Sequence, residues 1–99
     1  MADAPTDQQI DEVREALGAT RAQVAEVPAE VVVVNHAAGL YELAAIHLSA
    51  QPPSLESAAL AIDALACLVE GLGDRLGAEA DTLRAALANI RLAFVQIKG

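Results

Sequence analysis

Two histidines with a glutamate between them are the side chains best suited to chemistry in this sequence. His36, Glu42 and His47 lie in one mostly apolar stretch, and the two histidines are eleven positions apart. A helix would separate them by about 16 Å along its axis, although both would face the same side. Zinc sites built on a single helix use histidines four positions apart. We therefore predict no metal site within one chain and interpret the pair as partly buried or interface histidines.

The only cysteine, Cys67, lies in an apolar stretch without a nearby histidine that could activate its thiolate. It has no partner for an internal disulfide, which suits a reducing cytoplasm. The acidic, polar first nine residues do not have the pattern of a signal peptide. A glycine-rich phosphate loop, a CxxC pair and a nucleophile elbow are all missing from the sequence. We therefore predict a cytoplasmic protein that is not an enzyme, has no catalytic residues and binds no cofactor.

The chain is strongly acidic and poor in aromatic residues. It has 14 acidic and 6 basic residues, a formal net charge of −8, and no lysine or arginine between Arg21 and Arg75. Nucleic acids and anionic membranes bind basic patches, so neither is an expected partner. Hydrophobic residues make up 55% of the 99 positions but aromatic residues only 2%. A small core with so few aromatic side chains often gains stability by packing against a second copy or a partner.

The second half of the chain has the pattern of two helices folded back on each other. Apolar residues recur at steps of three and four over positions 55–72 and 83–97, the spacing of one face of an α-helix. Gly71, Gly73 and Gly77 interrupt the pattern, and glycines end helices readily. The predicted seam consists of Leu55, Ala58, Ile62, Leu65, Val69 and Leu72 on the first helix and Leu83, Leu87, Ile90, Phe94 and Ile97 on the second.

Charged residues repeat every seven positions beside this seam, acidic on the first helix and basic on the second. In an antiparallel hairpin the position numbers of facing residues have a constant total, and the apolar and the charged series each satisfy this condition. Exposed ion pairs contribute only about 0–1 kcal/mol each, so we expect the apolar seam to hold the hairpin and the charges to set its register. The predicted pairs are Glu56 with Lys98, Asp63 with Arg91, and Glu70 with Arg84.

The first half of the chain predicts a flexible tail at residues 1–6 and an amphipathic helix within residues 7–27, with Thr6 as its N-cap. The apolar face of this helix is narrow, because polar Thr20 interrupts it and Gly18 weakens the helix by about 1 kcal/mol relative to alanine. We expect it to be loosely packed. Its apolar positions are Ile10, Val13, Leu17, Val24 and Val27.

A helical core domain is expected over residues 28–99. Pro28 ends the amphipathic helix and opens a helix over about residues 29–49, since proline is tolerated at a helix start. Pro52 and Pro53 then precede Ser54, the predicted N-cap residue at the start of the hairpin. The fold class is therefore all-α, an antiparallel helical hairpin with one packed helix and an N-terminal amphipathic helix, in a three- to four-helix bundle.

Residues 31–50 are long and apolar enough to be compared with a transmembrane span. Glu42 would oppose insertion by about 3 kcal/mol, which offsets most of what the valine, leucine and isoleucine residues supply. Asn35, the two histidines and the lack of basic flanks also argue against insertion. We therefore predict no membrane span.

The first helix of the hairpin is apolar on more than its seam. Leu60, Ala64, Cys67 and Leu68 form a second face that the neighbouring helix can cover only in part. We therefore expect an interaction or oligomerisation module that binds a second copy of itself or another helical protein. The alternative is a small-ligand or metal-binding protein, or a minor enzyme, in which two subunits together bring His36, Glu42 and His47 into one site.

Three short motifs carry a family resemblance. They are Ala45-Ile46-His47-Leu48, Ala61-Ile62-Asp63-Ala64-Leu65 followed by Leu68, and a closing segment with Leu83, Leu87 and Ile90-Arg91-Leu92-Ala93-Phe94-Val95. Together, over Val31 to Ile97, they resemble a small bacterial α-helical family, the domain of unknown function 1844. The resemblance implies a cytoplasmic bacterial helical protein and supplies no catalytic residues.

Overall fold

The chain is all-α, as predicted. The computed structural model describes residues 4–99, apart from the side chains of residues 19, 20 and 22–24. In this part of the chain, four α-helices are α1 over Asp7–Val24, α2 over Ala29–Leu48, α3 over Leu55–Leu72 and α4 over Ala80–Lys98. A 3-10 helical segment, Gly73–Glu79, joins α3 to α4. Residues 1–3 of the predicted tail lie outside the described residues.

The start of α1 is set by a reciprocal pair of hydrogen bonds. The Gln9 backbone N–H donates to Thr6 Oγ1 at 3.2 Å, and the Thr6 backbone N–H donates to Gln9 Oε1 at 2.8 Å. This capping box satisfies two backbone donors that a helix start otherwise leaves unpaired. The predicted N-cap at Thr6 is therefore confirmed, and Gln9 is the partner that completes it.

Beyond its start, α1 stands apart from the other helices. Val13 and Leu17 on its apolar face are 58% and 57% exposed, and Ile10 is half-buried. Within the described residues, α1 packs extensively against no other element. The predicted face positions Thr20 and Val24 lie outside the described side chains. The helix ends at Val24, and a short connection leads to Pro28, the N-cap residue of α2.

The core lies between α2, α3 and α4, and α2 packs more extensively on α3 than α4 does. Three alanines of α2 and α3, Ala37, Ala44 and Ala58, are completely buried. Small side chains allow two helix axes to approach closely. At the connection between the two helices, the Ser54 backbone N–H donates to the His47 carbonyl at 3.0 Å.

The predicted seam between α3 and α4 is confirmed at its centre and loosens at its open end. The buried seam residues are Ala58, Ile62, Leu65, Val69, Leu83, Leu87 and Ile90. Leu55, Leu72 and Phe94 are half-buried, and Ile97 is exposed. Ile97 lies next to the last residue of α4, where the expectation of a buried position was wrong.

The connection from α3 to α4 differs from the predicted glycine-rich turn. Gly71 lies within α3, so it does not interrupt the helix. Gly73 and Gly77 have positive φ angles of 53° and 77°, a conformation that glycine adopts without steric cost. Between them, Leu76 is fully buried. The segment therefore contributes a side chain to the core, which the glycine pattern alone did not reveal.

Enlarging the alanine contact should destabilise the fold. We expect Ala44→Leu to lower the free energy of unfolding by about 1–3 kcal/mol, because the extra atoms must be forced between α2 and α3. Ala38→Leu, on the exposed side of the same helix, is the matched control and should change it by less than about 0.5 kcal/mol. Urea unfolding followed by circular dichroism measures both. Equal losses in the two variants would contradict tight packing at Ala44.

Candidate interaction face

The basic residues of α4 form ion pairs, but not with the predicted partners. Arg91 Nη2 lies 3.2 Å from Glu70 Oε1 rather than pairing with Asp63. Arg84 lies 2.8 Å from both Asp74 and Asp81 rather than pairing with Glu70. Within the described residues, Glu56 and Lys98 form no ion pair within 4.0 Å. All three predicted pairings are therefore wrong, although the acidic and basic series do belong to facing helices.

The direction of helical side chains explains the difference. Side chains lean toward the N-terminus of their own helix, and in this antiparallel pair the N-terminus of α4 lies beside the C-terminus of α3. Arg91 therefore reaches along α4 toward Glu70, although Arg91 and Asp63 line the same open groove. Arg84 reaches past the end of α3 to Asp74 in the 3-10 segment.

Arg84 joins the 3-10 segment to the first turn of α4. Its guanidinium donates to Asp74 Oδ1 and to Asp81 Oδ1. These hydrogen bonds, the one to Asp74 first, raise the pKa of Arg84 above its ordinary value. Because arginine is already fully charged near neutral pH, this arrangement fixes the connection between helices and does not point to proton transfer.

The two histidines and Glu42 do not converge within one chain. At 3.6 residues per turn, Glu42 lies about 120° around α2 from His36 and about 140° from His47. The His36 ring N–H at Nδ1 donates to the Val32 carbonyl at 2.8 Å. Among the described residues, no group of three or more histidine, cysteine, aspartate or glutamate side chains could hold a metal ion.

The histidine side of α2 continues onto the predicted second face of α3. α4 and the 3-10 segment both pack against α2 and α3. α4 lines a groove with Ala59 and Asp63 of α3, and the 3-10 segment lines a groove with Val34 and Asn35 of α2, which marks one side of the helix pair. The positions on the other side form one surface, which we call the α2–α3 face. Its residues are Val32, His36, Gly39, Leu43 and Ile46 on α2, and Ser57, Leu60, Ala64, Cys67 and Gly71 on α3.

The α2–α3 face is apolar, accessible and uncharged. Leu60 is 73% exposed, Ile46 64% and Leu43 43%, and every other position of the face is exposed or half-buried. None of the ten residues is an aspartate, glutamate, lysine or arginine, although the chain carries a net charge of −8. The predicted residues Leu60, Ala64 and Cys67 lie within this face, while half-buried Leu68 lies at its border and packs against the core.

The contribution of α2 to this face is a feature that sequence reasoning missed. Its positions 32, 36, 39, 43 and 46 are separated by alternating steps of four and three, and so are positions 57, 60, 64, 67 and 71 of α3. Alternating steps of this kind are typical of a helix that packs against another helix. His36 and Gly39 obscured the signal because a pattern of apolar residues alone omits them.

A second property of α2 concerns membranes. Among the described residues, α2 is the one helix long and apolar enough to cross a membrane by length and composition. Only 17% of its most apolar window is buried within the chain. Exposed Leu43 and Ile46 of α2 belong to the α2–α3 face, so an occupant of this face would also cover them.

Comparisons with known proteins found no matching family model, no curated protein with a matching sequence and no solved structure with a matching fold. The resemblance to the domain of unknown function 1844 stays a prediction from the motifs in the sequence.

The observed ion pair makes a prediction about coupling energies. In a double-mutant cycle, Glu70→Gln and Arg91→Met should show a coupling of about 0.2–1 kcal/mol, as expected for an exposed pair. A parallel cycle with Asp63→Asn and Arg91→Met should show a smaller value. The measurement is urea unfolding at low and at high salt, since salt screens such pairs. A larger coupling for Asp63 would restore the pairing predicted from sequence.

Proposed function

We propose that this chain is a non-enzymatic, cytoplasmic helical module that self-associates through the α2–α3 face. The observation that carries the proposal is the combination of exposed Leu43, Ile46 and Leu60 with the lack of any charged residue on the same surface. Soluble monomers rarely leave large contiguous apolar patches exposed, and such patches commonly bind other proteins. Association would remove these side chains from water without burying a carboxylate.

The alternative function, a composite small-ligand or metal site at a subunit interface, has less support. His36 and His47 do lie toward the α2–α3 face, but Glu42 projects from a different side of α2, so the three residues of one subunit do not converge. We expect wild type and a His36→Ala/His47→Ala double variant to bind zinc with the same affinity in calorimetric titrations. A large loss of affinity in a double variant with unchanged helicity would favour the composite site instead.

Self-association predicts a concentration-dependent mass. Light scattering on a sizing column should give a mass above 10.2 kDa that approaches twice this value as the concentration increases. Leu43→Glu and Leu60→Glu should each lower the association constant about tenfold or more, because burying an unpaired carboxylate is costly. Leu92→Glu, at a 57% exposed position on α4, is the matched control and should leave the mass unchanged.

A wild-type chain that remains at 10.2 kDa at all concentrations would refute self-association. Circular dichroism of each variant separates loss of association from loss of folding. A variant of the face that keeps both its helicity and its wild-type mass would show that the α2–α3 face is not the interface.

A further inference from the structure

We infer that the partner on the α2–α3 face is a second copy of this chain, related by a two-fold axis that sets α2 antiparallel to the partner's α2 and α3 antiparallel to the partner's α3. This inference rests on the proposed function and adds the identity and register of the partner. The argument comes from three features of the face: its glycines, its alternation of large and small residues, and its charge.

Gly39 lies in the middle of α2, where glycine costs about 1 kcal/mol relative to alanine. A Cβ atom built at Gly39 would meet no other atom within 4 Å, and the same is true at Gly71 in α3. The packing of the single chain therefore gives no reason for either glycine. Both residues lie on the α2–α3 face, where a closely approaching partner would use the space above them.

Large and small residues alternate on the face in a self-complementary way. On α2, small Gly39 and large Leu43 are four positions apart, and on α3, large Leu60 and small Ala64 are also four apart. Turning a helix end for end about the midpoint of such a pair sets the large residue of one copy over the small residue of the other. Leu43 would then pack over Gly39 of the partner subunit, and Leu60 over Ala64 of the partner subunit.

One axis satisfies both pairs. The midpoint on α2 is position 41, seven residues before the end of the helix at Leu48, and the midpoint on α3 is position 62, seven residues after its start at Leu55. Because α2 and α3 are antiparallel neighbours joined by a short connection, the two midpoints lie at the same height. A single two-fold axis through both produces an isologous interface, the commonest kind in homodimers.

The charge of the chain is compatible with this contact. Two copies that each carry −8 repel at a distance, but the face itself contains no carboxylate that would have to be desolvated. Glu42 and Glu56 lie beyond its borders and remain accessible to water. The remaining charges repel across solvent, where salt screens them, while the contact consists of apolar and small side chains together with His36.

The chain's own α1 is a weaker candidate for the same surface. Its apolar stripe is narrow, with Ile10, Val13 and Leu17 as its described apolar residues. Asp11, Arg14 and Glu15 interrupt the sequence between them. A narrow stripe of this kind would cover only part of a face made by two helices, and it would not account for the matching midpoints on α2 and α3.

Disulfide cross-linking tests the register in the full-length chain. In a Cys67→Ala background, chains with Gly39→Cys are mixed with chains carrying Leu43→Cys and are oxidised. These two positions should approach within the Cα separation of about 4.4–6.8 Å that a disulfide needs, so covalent dimers should form several-fold faster than in either chain alone. A mixture of Leu43→Cys chains and Leu60→Cys chains is the control. It would cross-link fastest in a dimer in which α2 packs over the partner's α3.

A compensating pair of substitutions gives a second readout. Gly39→Leu should weaken dimerisation about tenfold or more, because it places a leucine against Leu43 of the partner subunit. Adding Leu43→Ala should restore most of the association, since each large residue again faces a small one. Circular dichroism confirms that every variant is folded, so that a loss of dimer is not a loss of helix.

The outcomes distinguish the inference from the proposed function. Faster cross-linking of Leu43→Cys with Leu60→Cys, or no rescue by Leu43→Ala, would overturn the register while leaving self-association intact. A wild-type chain that stays monomeric would overturn both the register and self-association. A monomer that floats with phosphatidylcholine vesicles would do the same, since the face would then bind lipid. Dissociation by Val13→Glu/Leu17→Glu, but not by Leu60→Glu, would assign the interface to α1 and overturn the inference.

Discussion

Close packing of α2 on α3 through alanine is the constraint on which the rest of the structure depends. Ala37, Ala44 and Ala58 are completely buried, and small side chains allow helix axes to approach closely. Larger buried side chains come from α2 and α3 themselves, and also from α4 and from Leu76 of the 3-10 segment. The last two elements lie on one side of the helix pair. The opposite side, which is the α2–α3 face, keeps its apolar residues exposed as a result of how the core is built.

The charged residues also differ between the side of the helix pair that packs on α4 and the opposite side. The described ion pairs of the helical core all involve arginines of α4 and acidic residues of α3, the 3-10 segment or α4 itself. The histidine side of α2 and the Leu60 side of α3 carry no charged residue. One side of the chain is therefore solvated and the other is suited to contact. An acidic chain can in this way still contain an apolar surface.

Much of the fold could be predicted from the sequence because apolar spacing depends only on helical geometry. The helix starts at Asp7, Ala29 and Leu55 and the centre of the seam agree with expectation. The ion partners of Arg84 and Arg91 could not be obtained in this way, since they depend on the direction in which long side chains lean. The 3-10 segment was missed because its glycines indicate a break without indicating what lies between them. The α2 half of the interaction face was missed because it includes His36 and Gly39.

In the proposed two-fold dimer, the separate position of α1 would place two copies of this helix far apart. Because the two α2 helices are antiparallel there and cross at position 41, their N-termini at Ala29 lie at opposite ends, about 36 Å apart along the helix axis. Each α1 begins with its own capping box and presents exposed Val13 and Leu17. In the proposed dimer, two such helices would make a bivalent ligand, and avidity can exceed the affinity of one helix by about 10²–10⁴ when a target matches the spacing. A narrow amphipathic stripe that binds weakly by itself would then bind tightly only to a target that has two binding sites for α1 at the matching separation.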